Sequence, residues 1–224
     1  NAGILPHIVI LKIRGAGNSI VGITEAGQLV REGFNKHGVA IINNSLQSVA
    51  DHRGTGIPVT FLRRRVLESR TLAEAQKIVL HAPRCVSNNI LLVDGNGDAI
   101  DYEVQPEQVD TILPTNGIVT HANHFVVHPE VDALKDRPRN RDTRLRMLLE
   151  KRHGLIDIPH IMECVKDHEY YPLSICGHPT MDDQDEYTNE RMTVSSMIID
   201  FQGRVAYICR GMPCEGEFHR YQIT

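Results

Sequence analysis

Ile8-Val9-Ile10-Leu11-Lys12-Ile13-Arg14, then Gly15-Ala16-Gly17-Asn18-Ser19, then Ile20-Val21-Gly22-Ile23, is the stretch that sets the fold. Two runs rich in β-branched residues flank a cluster of glycine, asparagine and serine, the pattern of two strands joined by a tight turn. Gly-x-Gly also occurs in phosphate-binding loops, but no helical pattern follows it here, so it reads as a hairpin turn. The same grammar continues outward. Leu29 to Phe34 and Gly38 to Asn43 are strands joined through Asn35-Lys36-His37-Gly38, where Asn and Gly accept the positive φ of a short connection. Asn89 to Val93 and Ala99 to Val104 form a hairpin on Asp94-Gly95-Asn96-Gly97. Val109 to Leu113 and Gly117 to His121 form another around Asn116-Gly117. Val194 to Phe201, Arg204 to Arg210 and Glu217 to Ile223 close the chain as three strands.

Helices fall between these blocks. Pro58 suits the first position of a helix whose apolar residues, Val59, Leu62, Val66 and Leu67, have helical spacing. Thr71-Leu72-Ala73-Glu74 is a capping box, and Leu72, Ala75, Ile78 and Val79 form the apolar face of the helix it opens, which Pro83 ends. Arg141 to Arg152 is a basic helix with Leu145, Leu148 and Leu149 turned inward, and Ile158 to Val165 is a shorter one. Strands, two helices, strands, two helices, strands indicate an α+β protein, one domain over 1–224, with antiparallel sheets packed together and helices layered outside. Pattern alone does not separate a four-layer αββα sandwich from other α+β packings.

Composition narrows the partners. With 224 residues and 41% apolar content the chain can bury a real core, and a net charge of -4 with mixed signs provides no footprint for nucleic acid or an anionic membrane. Apolar runs such as Ile8 to Leu11 and Ile90 to Val93 are too short to span a bilayer. No charged segment followed by a long apolar one marks a signal peptide, and the expected location is cytoplasmic. Cys85, Cys164, Cys176, Cys209 and Cys214 are odd in number and include no CxxC pair, so they read as free thiols rather than a disulfide framework or zinc ribbon. No metal or other cofactor is expected.

Thr120-His121-Ala122-Asn123-His124-Phe125 is the sharpest local motif. One reading is a metal site on His121, His124 and His128. The β-branched residues around it argue for a strand instead, on which His121 and His124 would point to opposite faces. In a second reading Asn123 donates to a developing oxyanion, and in a third the Asn and His residues only cap local backbone. Asn44, at the end of a strand, is either a similar donor or the start of an Asx turn. Arg191, between an acidic loop running from Pro179 to Glu190 and a strand, either binds a carboxylate or catalytic group or balances Asp182, Asp183, Asp185, Glu186 and Glu190. No Gly-x-Ser-x-Gly and no nucleophile with an adjacent base is visible.

Taken in order, Thr24-Glu25-Ala26-Gly27, Gly33-Phe34-Asn35, Gly38-Val39-Ala40, Asn44 and Leu46, Thr55-Gly56-Ile57-Pro58, His121-Ala122-Asn123-His124, Tyr171-Pro172-Leu173-Ser174-Ile175-Cys176 and Pro213-Cys214-Glu215-Gly216-Glu217-Phe218 resemble the acyl-coenzyme A:6-aminopenicillanic acid (isopenicillin N) acyltransferase family. Each motif is weak alone, but the ordered set runs over nearly the whole chain. The resemblance implies the αββα fold of the N-terminal-nucleophile hydrolases. It also implies an autoproteolytically activated amide hydrolase or acyltransferase that works through an acyl-cysteine. It carries roles over to Asn123 (oxyanion hole), Arg191 (active-site arginine) and Asn44 (near the oxyanion). In the family the nucleophilic cysteine and an active-site aspartate precede the strand corresponding to His7 to Arg14. The chain is therefore expected to be part of a longer product lacking its first strands, with the nucleophile upstream of Asn1. The implied substrate is a small-molecule amide or acyl thioester, and the expected protein partner is either a short N-terminal subunit or a second copy of the chain. A truncated, catalytically inactive binding module and a metallohydrolase using His121, His124 and His128 are the competing functions.

Overall fold

The computed structural model describes residues 2–15, 17–135, 139–181 and 190–223. Seven consecutive strands form one antiparallel meander: β1 (Ile8–Gly15), β2 (Asn18–Glu25), β3 (Glu32–Asn35), β4 (Val39–Ser45), β5 (Asn88–Asp94), β6 (Ala99–Val104) and β7 (Val109–Ile112). The two-residue ladder of β8 (Thr180–Met181) and β9 (Glu190–Arg191) follows. A second sheet is built from β10 (Ser195–Asp200), β11 (Val205–Arg210) and β12 (Phe218–Gln222). The acidic run at 182–189 lies outside the described residues.

Alternation along the strands decides the layers. Ile20, Val39, Ile41, Ile90 and Leu92 face outward from the large sheet and are covered by Leu62, Val66, Leu67, Ala75 and Val79 of α1 (Val59–Val66), α2 (Leu72–His81) and the residue after α1. Val21, Ile23, Phe34 and Ala40, on the opposite face, pack against Ala206 and Ile208 of the small sheet and Ile223 just after its last strand. Phe34 meets Phe201 edge to face at 6.3 Å. Each such buried large side chain contributes about 1.5–3 kcal/mol of transfer free energy. On the far side of the small sheet, α4 (Ile158–Cys164) lies against β10, and α3 (Arg141–Glu150) packs on α4. The result is the four-layer αββα sandwich.

Two details explain the local register. Gly22 and Gly33 are paired across β2 and β3, and a Cβ on Gly33 would press into the Val21 carbonyl oxygen and lie 2.8 Å from Gly22 Cα. Neither position tolerates a side chain. Asn35, buried at the end of β3, donates to the Leu67 and Ser69 carbonyls at 3.0 and 2.6 Å. It accepts from the amides of His37 and Val39 at 2.9 and 3.0 Å, so one side chain ties the β3–β4 turn to the end of α1.

Some expectations need correction. Residues 117–121 do not form a strand. Asn116 and Gly117 make the positive-φ turn, but pairing stops at a single bridge between Thr115 and Ile118, and the segment beyond is drawn toward β6 by polar contacts described below. Pro58 is the N-cap residue of α1 rather than its first helical position. In the capping box, Thr71 accepts from the Glu74 amide at 3.2 Å as expected, but Glu74 reaches back to the amide of Arg70 at 2.7 Å, one residue early. The leucines of α3 are half-buried rather than fully inside. Among the described residues no helix is long and apolar enough to cross a membrane.

Candidate active site

Among the described residues the small sheet has three strands, too few to cover the whole inner face of the large one. Where it ends, that inner face turns polar: Asn44 on β4, Asn89 on β5, and Asp101 and Glu103 on β6. The first three pair with one another, and Glu103 holds the segment beyond Ile118. Asn44 Nδ2 donates to Asn89 Oδ1 at 3.1 Å, and Asn89 Nδ2 donates to Asp101 Oδ1 at 2.5 Å. Glu103 accepts from the amides of Val126 and Val127 at 2.5 and 3.1 Å and pairs with His121 Nε2 at 2.8 Å.

Burial sets the electrostatics here. It pushes the Asp101 carboxyl up to about 6, partly offset by the charge of His121, and Asp101 Oδ2 is buried without a hydrogen-bond partner. Burial also opposes the charged forms of Glu103 and His121, but their mutual hydrogen bond, with the two amides on Glu103, outweighs it. Glu103 lies below, and His121 above, the ordinary value.

This polar face holds the His-x-Asn-His segment in place. Asn44 Nδ2 makes a second hydrogen bond, 3.3 Å to the His121 carbonyl. Asn123 Nδ2 donates to the Ser45 carbonyl at 3.1 Å, and Asn123 Oδ1 accepts from Arg141 at 2.8 Å, which fixes which way the amide faces. Asn123 then lies in the wall of a cleft of about 400 Å³, with Arg31, Ser45, Arg141, His178 and Arg191. An adjoining hollow of about 250 Å³ is lined by Ile8, Thr24, Asn44, Asn123 and Ser195 among others. Arg31, Ser45 and Asn123 border both, so the fold brings Asn44, Asn123 and Arg191 to two hollows that meet at Asn123. The adjoining hollow opens where β1 and β10 begin. Among the described residues no strand pairs with the outer edge of either. Arg31 is ion-paired to Glu25, and burial raises the carboxyl of neighbouring Glu32.

The three histidines do not form a metal site. His121 and His124 are stacked at 6.2 Å rather than set on opposite faces, since the segment is not a strand. Each histidine turns to its own acid: His121 to Glu103, His124 to Asp142 at 3.8 Å, and His128 to Glu130 at 3.0 Å. Among the described residues the one convergence of potential ligand atoms is elsewhere, on His168, Cys176, His178 and Cys214. Sequence reasoning missed this group, and missed Glu103 and Arg141. The only local signal was Cys176-Gly177-His178, two ligand-type side chains two positions apart.

Solved structures share this architecture. Penicillin V acylase from Agrobacterium tumefaciens aligns over 88% of this chain and 68% of its own at 15% identity, with a TM-score of 0.61. The Caenorhabditis elegans N-acylethanolamine-hydrolyzing acid amidase ortholog aligns over 94% and 82% at 11% identity and a TM-score of 0.58. A single-substitution variant of conjugated bile acid hydrolase from Clostridium perfringens aligns over 97% and 89% at 12% identity and a TM-score of 0.59. The antiparallel layers and these neighbours define the N-terminal-nucleophile hydrolase fold. Within it, the chain belongs to the acyl-coenzyme A:6-aminopenicillanic acid acyl-transferase family, whose model matches residues 12–215. The acyl-coenzyme A:6-aminopenicillanic-acid-acyltransferase 40 kDa form of Emericella nidulans is 29% identical over 196 residues. That match covers 85% of this chain and 53% of the relative, so the chain spans about half the length of the curated relative it matches.

Proposed function

We propose that the full-length protein is an amide hydrolase or acyltransferase whose nucleophile is a cysteine upstream of Asn1, exposed as a new N-terminus by self-cleavage. The thiol sulfur attacks the carbonyl carbon of a small-molecule amide or acyl thioester, and its proton passes to the cysteine's own α-amino group. The tetrahedral oxyanion takes a hydrogen bond from Asn123 Nδ2. As the intermediate collapses, the bond to the leaving amine or thiol breaks, and that group carries the proton away. Water or an amine then attacks the acyl-cysteine and releases the acyl group. Asn44, whose amide is spent on Asn89 and the His121 carbonyl, positions the Asn123 segment. Arg191 contributes positive charge to the cleft wall and steadies the reacting groups.

The observation that carries this reading is the fixed orientation of Asn123, held between the Ser45 carbonyl and Arg141, where the two hollows meet beside the start of β1. Family membership and the activities for which the relatives are named support the reaction class. The test is intact mass under denaturing conditions, with N-terminal sequencing, of the protein expressed from its whole reading frame. Two polypeptides, the larger beginning with Cys and running into Asn1, are expected. One uncleaved polypeptide with no cysteine upstream would overturn the reading.

A further inference from the structure

Two sulfurs and two imidazole nitrogens meet beside the cleft. Cys176 Sγ lies 3.4 Å from Cys214 Sγ, and His178 Nε2 lies 3.3 Å from Cys214 Sγ and 4.0 Å from Cys176 Sγ. His168 Nε2 is 3.0 Å from His178 Nε2, and all four ligand atoms fall within 4.8 Å of one another. A zinc ion with bonds of about 2.3 Å to sulfur and 2.0–2.1 Å to nitrogen holds tetrahedral ligand atoms about 3.3–3.8 Å apart. The 3.3 and 3.4 Å separations fall in that range, the 3.0 and 4.0 Å ones lie just outside it, and the remaining pairs stay within 4.8 Å.

The backbone around the ligands is well anchored. His168, Cys176 and His178 sit on the 167–178 loop after α4. Its shape is set by the Cys176 amide donating to the Asp167 carbonyl at 3.0 Å and the His178 amide donating to the Pro172 carbonyl at 2.9 Å. Asp167 is in turn gripped by Arg144 of α3 at 3.0 and 2.6 Å. Cys214 sits in the tight 212–216 turn between β11 and β12, where the Gly216 amide donates to the Met212 carbonyl at 2.9 Å. The four side chains therefore come from two separate parts of the chain that are held independently of them.

We propose that His168, Cys176, His178 and Cys214 form a structural zinc site that clamps the 167–178 loop to the β11–β12 turn. His178 also lines the cleft, so the clamp sets one of its walls. On binding, each thiol gives its proton to solvent, two S–Zn and two N–Zn bonds form, and no electron is transferred. Two thiolates and two neutral imidazoles balance the divalent charge, so the site needs no acidic neighbour. Four protein ligands leave no open position, which makes the site structural rather than catalytic. Two alternatives explain less. A disulfide would bring the sulfurs to about 2.05 Å and give the imidazoles no reason to converge. A hydrogen-bonded cluster would rely on thiols, which are weak donors and acceptors.

The test uses the full-length protein, purified without a histidine tag under reducing conditions. Metal analysis should find about one zinc per chain, and metal-free protein titrated with Co²⁺ should develop the thiolate-to-cobalt charge-transfer and tetrahedral d–d bands. The Cys176→Ser/Cys214→Ser double variant should lose both, and Cys85→Ser should keep both. Lack of zinc together with lack of the cobalt bands overturns the proposal, and so does a Cys176–Cys214 disulfide in the reduced preparation. If the double variant fails to fold by circular dichroism, the wild-type cobalt spectrum still decides. These readouts do not depend on self-cleavage or activity, so the zinc site and the catalytic reading stand or fall separately.

Discussion

His121 Nε2 lies 2.8 Å from Glu103 Oε1, and both side chains are almost wholly removed from water. Two buried groups that would each be costly to charge alone hold one another charged, and the pair fastens the segment carrying Asn123 to β6. Removing one partner strands the other.

Glu103→Gln should therefore destabilise the protein by roughly 3–5 kcal/mol near pH 5.5. The pH dependence follows from the directions of the shifts. Glu103 is held below 4.5, so its contribution is present above that value and is lost as pH falls through its lower folded value. His121 is held above 6.5, so its contribution is present below 6.5 and is lost as pH rises through its higher folded value. Urea unfolding of wild type against variant across pH 3–9 should show a difference that is largest between about 4.5 and 6.5 and shrinks on both sides.

Asp101 has the opposite sign. Its folded value of about 6 exceeds the ordinary 3.8, so the fold favours the neutral acid, an advantage present below 3.8 and lost as pH rises through about 6. Asp101→Asn, which keeps an oxygen to accept from Asn89, should flatten the fall in stability between those two values. An unchanged slope would show that Asp101 does not keep its proton.

If Asn123 donates to the oxyanion as proposed, Asn123→Ala should lower kcat about 10²–10³-fold with little change in KM. Chromogenic N-acyl anilides and acyl-coenzyme A thioesters, assayed with the self-processed full-length protein, read this directly. A loss confined to KM would place Asn123 in ground-state binding instead.

Asn44→Ala leaves the Asn89 Oδ1 and the His121 carbonyl without their donor, a cost of roughly 1–3 kcal/mol. Acting through Asn123, it should lower kcat by less than Asn123→Ala. The double variant should fall no further than Asn123→Ala alone, because the two act on one group. Additive losses would assign Asn44 a donor role of its own.

Gly33→Ala pushes a methyl group into the β2 backbone and should cost about 1–3 kcal/mol, read as a lower urea midpoint with unchanged slope. Gly17→Ala is a useful contrast. Its Cβ would meet no atom within 4 Å, although its φ of +104° is unfavourable for alanine, so it tests backbone strain without a clash.

Most strands and the helices were legible in the sequence because their apolar residues recur with the period of the element they form. In β2, Ile20 turns toward the helices and Val21 toward the second sheet, but because both faces are apolar the alternation does not say which is which. Residues 117–121 misled for a physical reason. Their β-branched composition is that of a strand, but contacts to Asn44 and Glu103 on distant strands override it. The candidate residues Asn44, Asn123 and Arg191 could be picked out locally, each with a rival reading as a cap, a turn or a surface charge, and the ordered set of motifs is what tied them to one reaction. Glu103 and Arg141 look like ordinary surface charges until the chain is folded. The His168, Cys176, His178 and Cys214 group has no spacing a linear reading would notice, because Cys214 arrives from a turn 36 residues beyond His178.

The order of the large sheet also bears on how the protein is made. Every neighbour among β1 to β7 is the next strand in the chain, so each pairing closes a short loop and loses little chain entropy. A ribosome that has released the chain as far as Ile112 has already supplied the whole sheet and the two helices that cover its outer face. The inner face must wait. Val21, Ile23 and Phe34 are buried largely by Ala206, Ile208, Ile223 and neighbours such as Phe201, which emerge about 90 residues later. During that interval the nascent chain carries a finished sheet with one greasy side, and it is then that a chaperone would be expected to hold it.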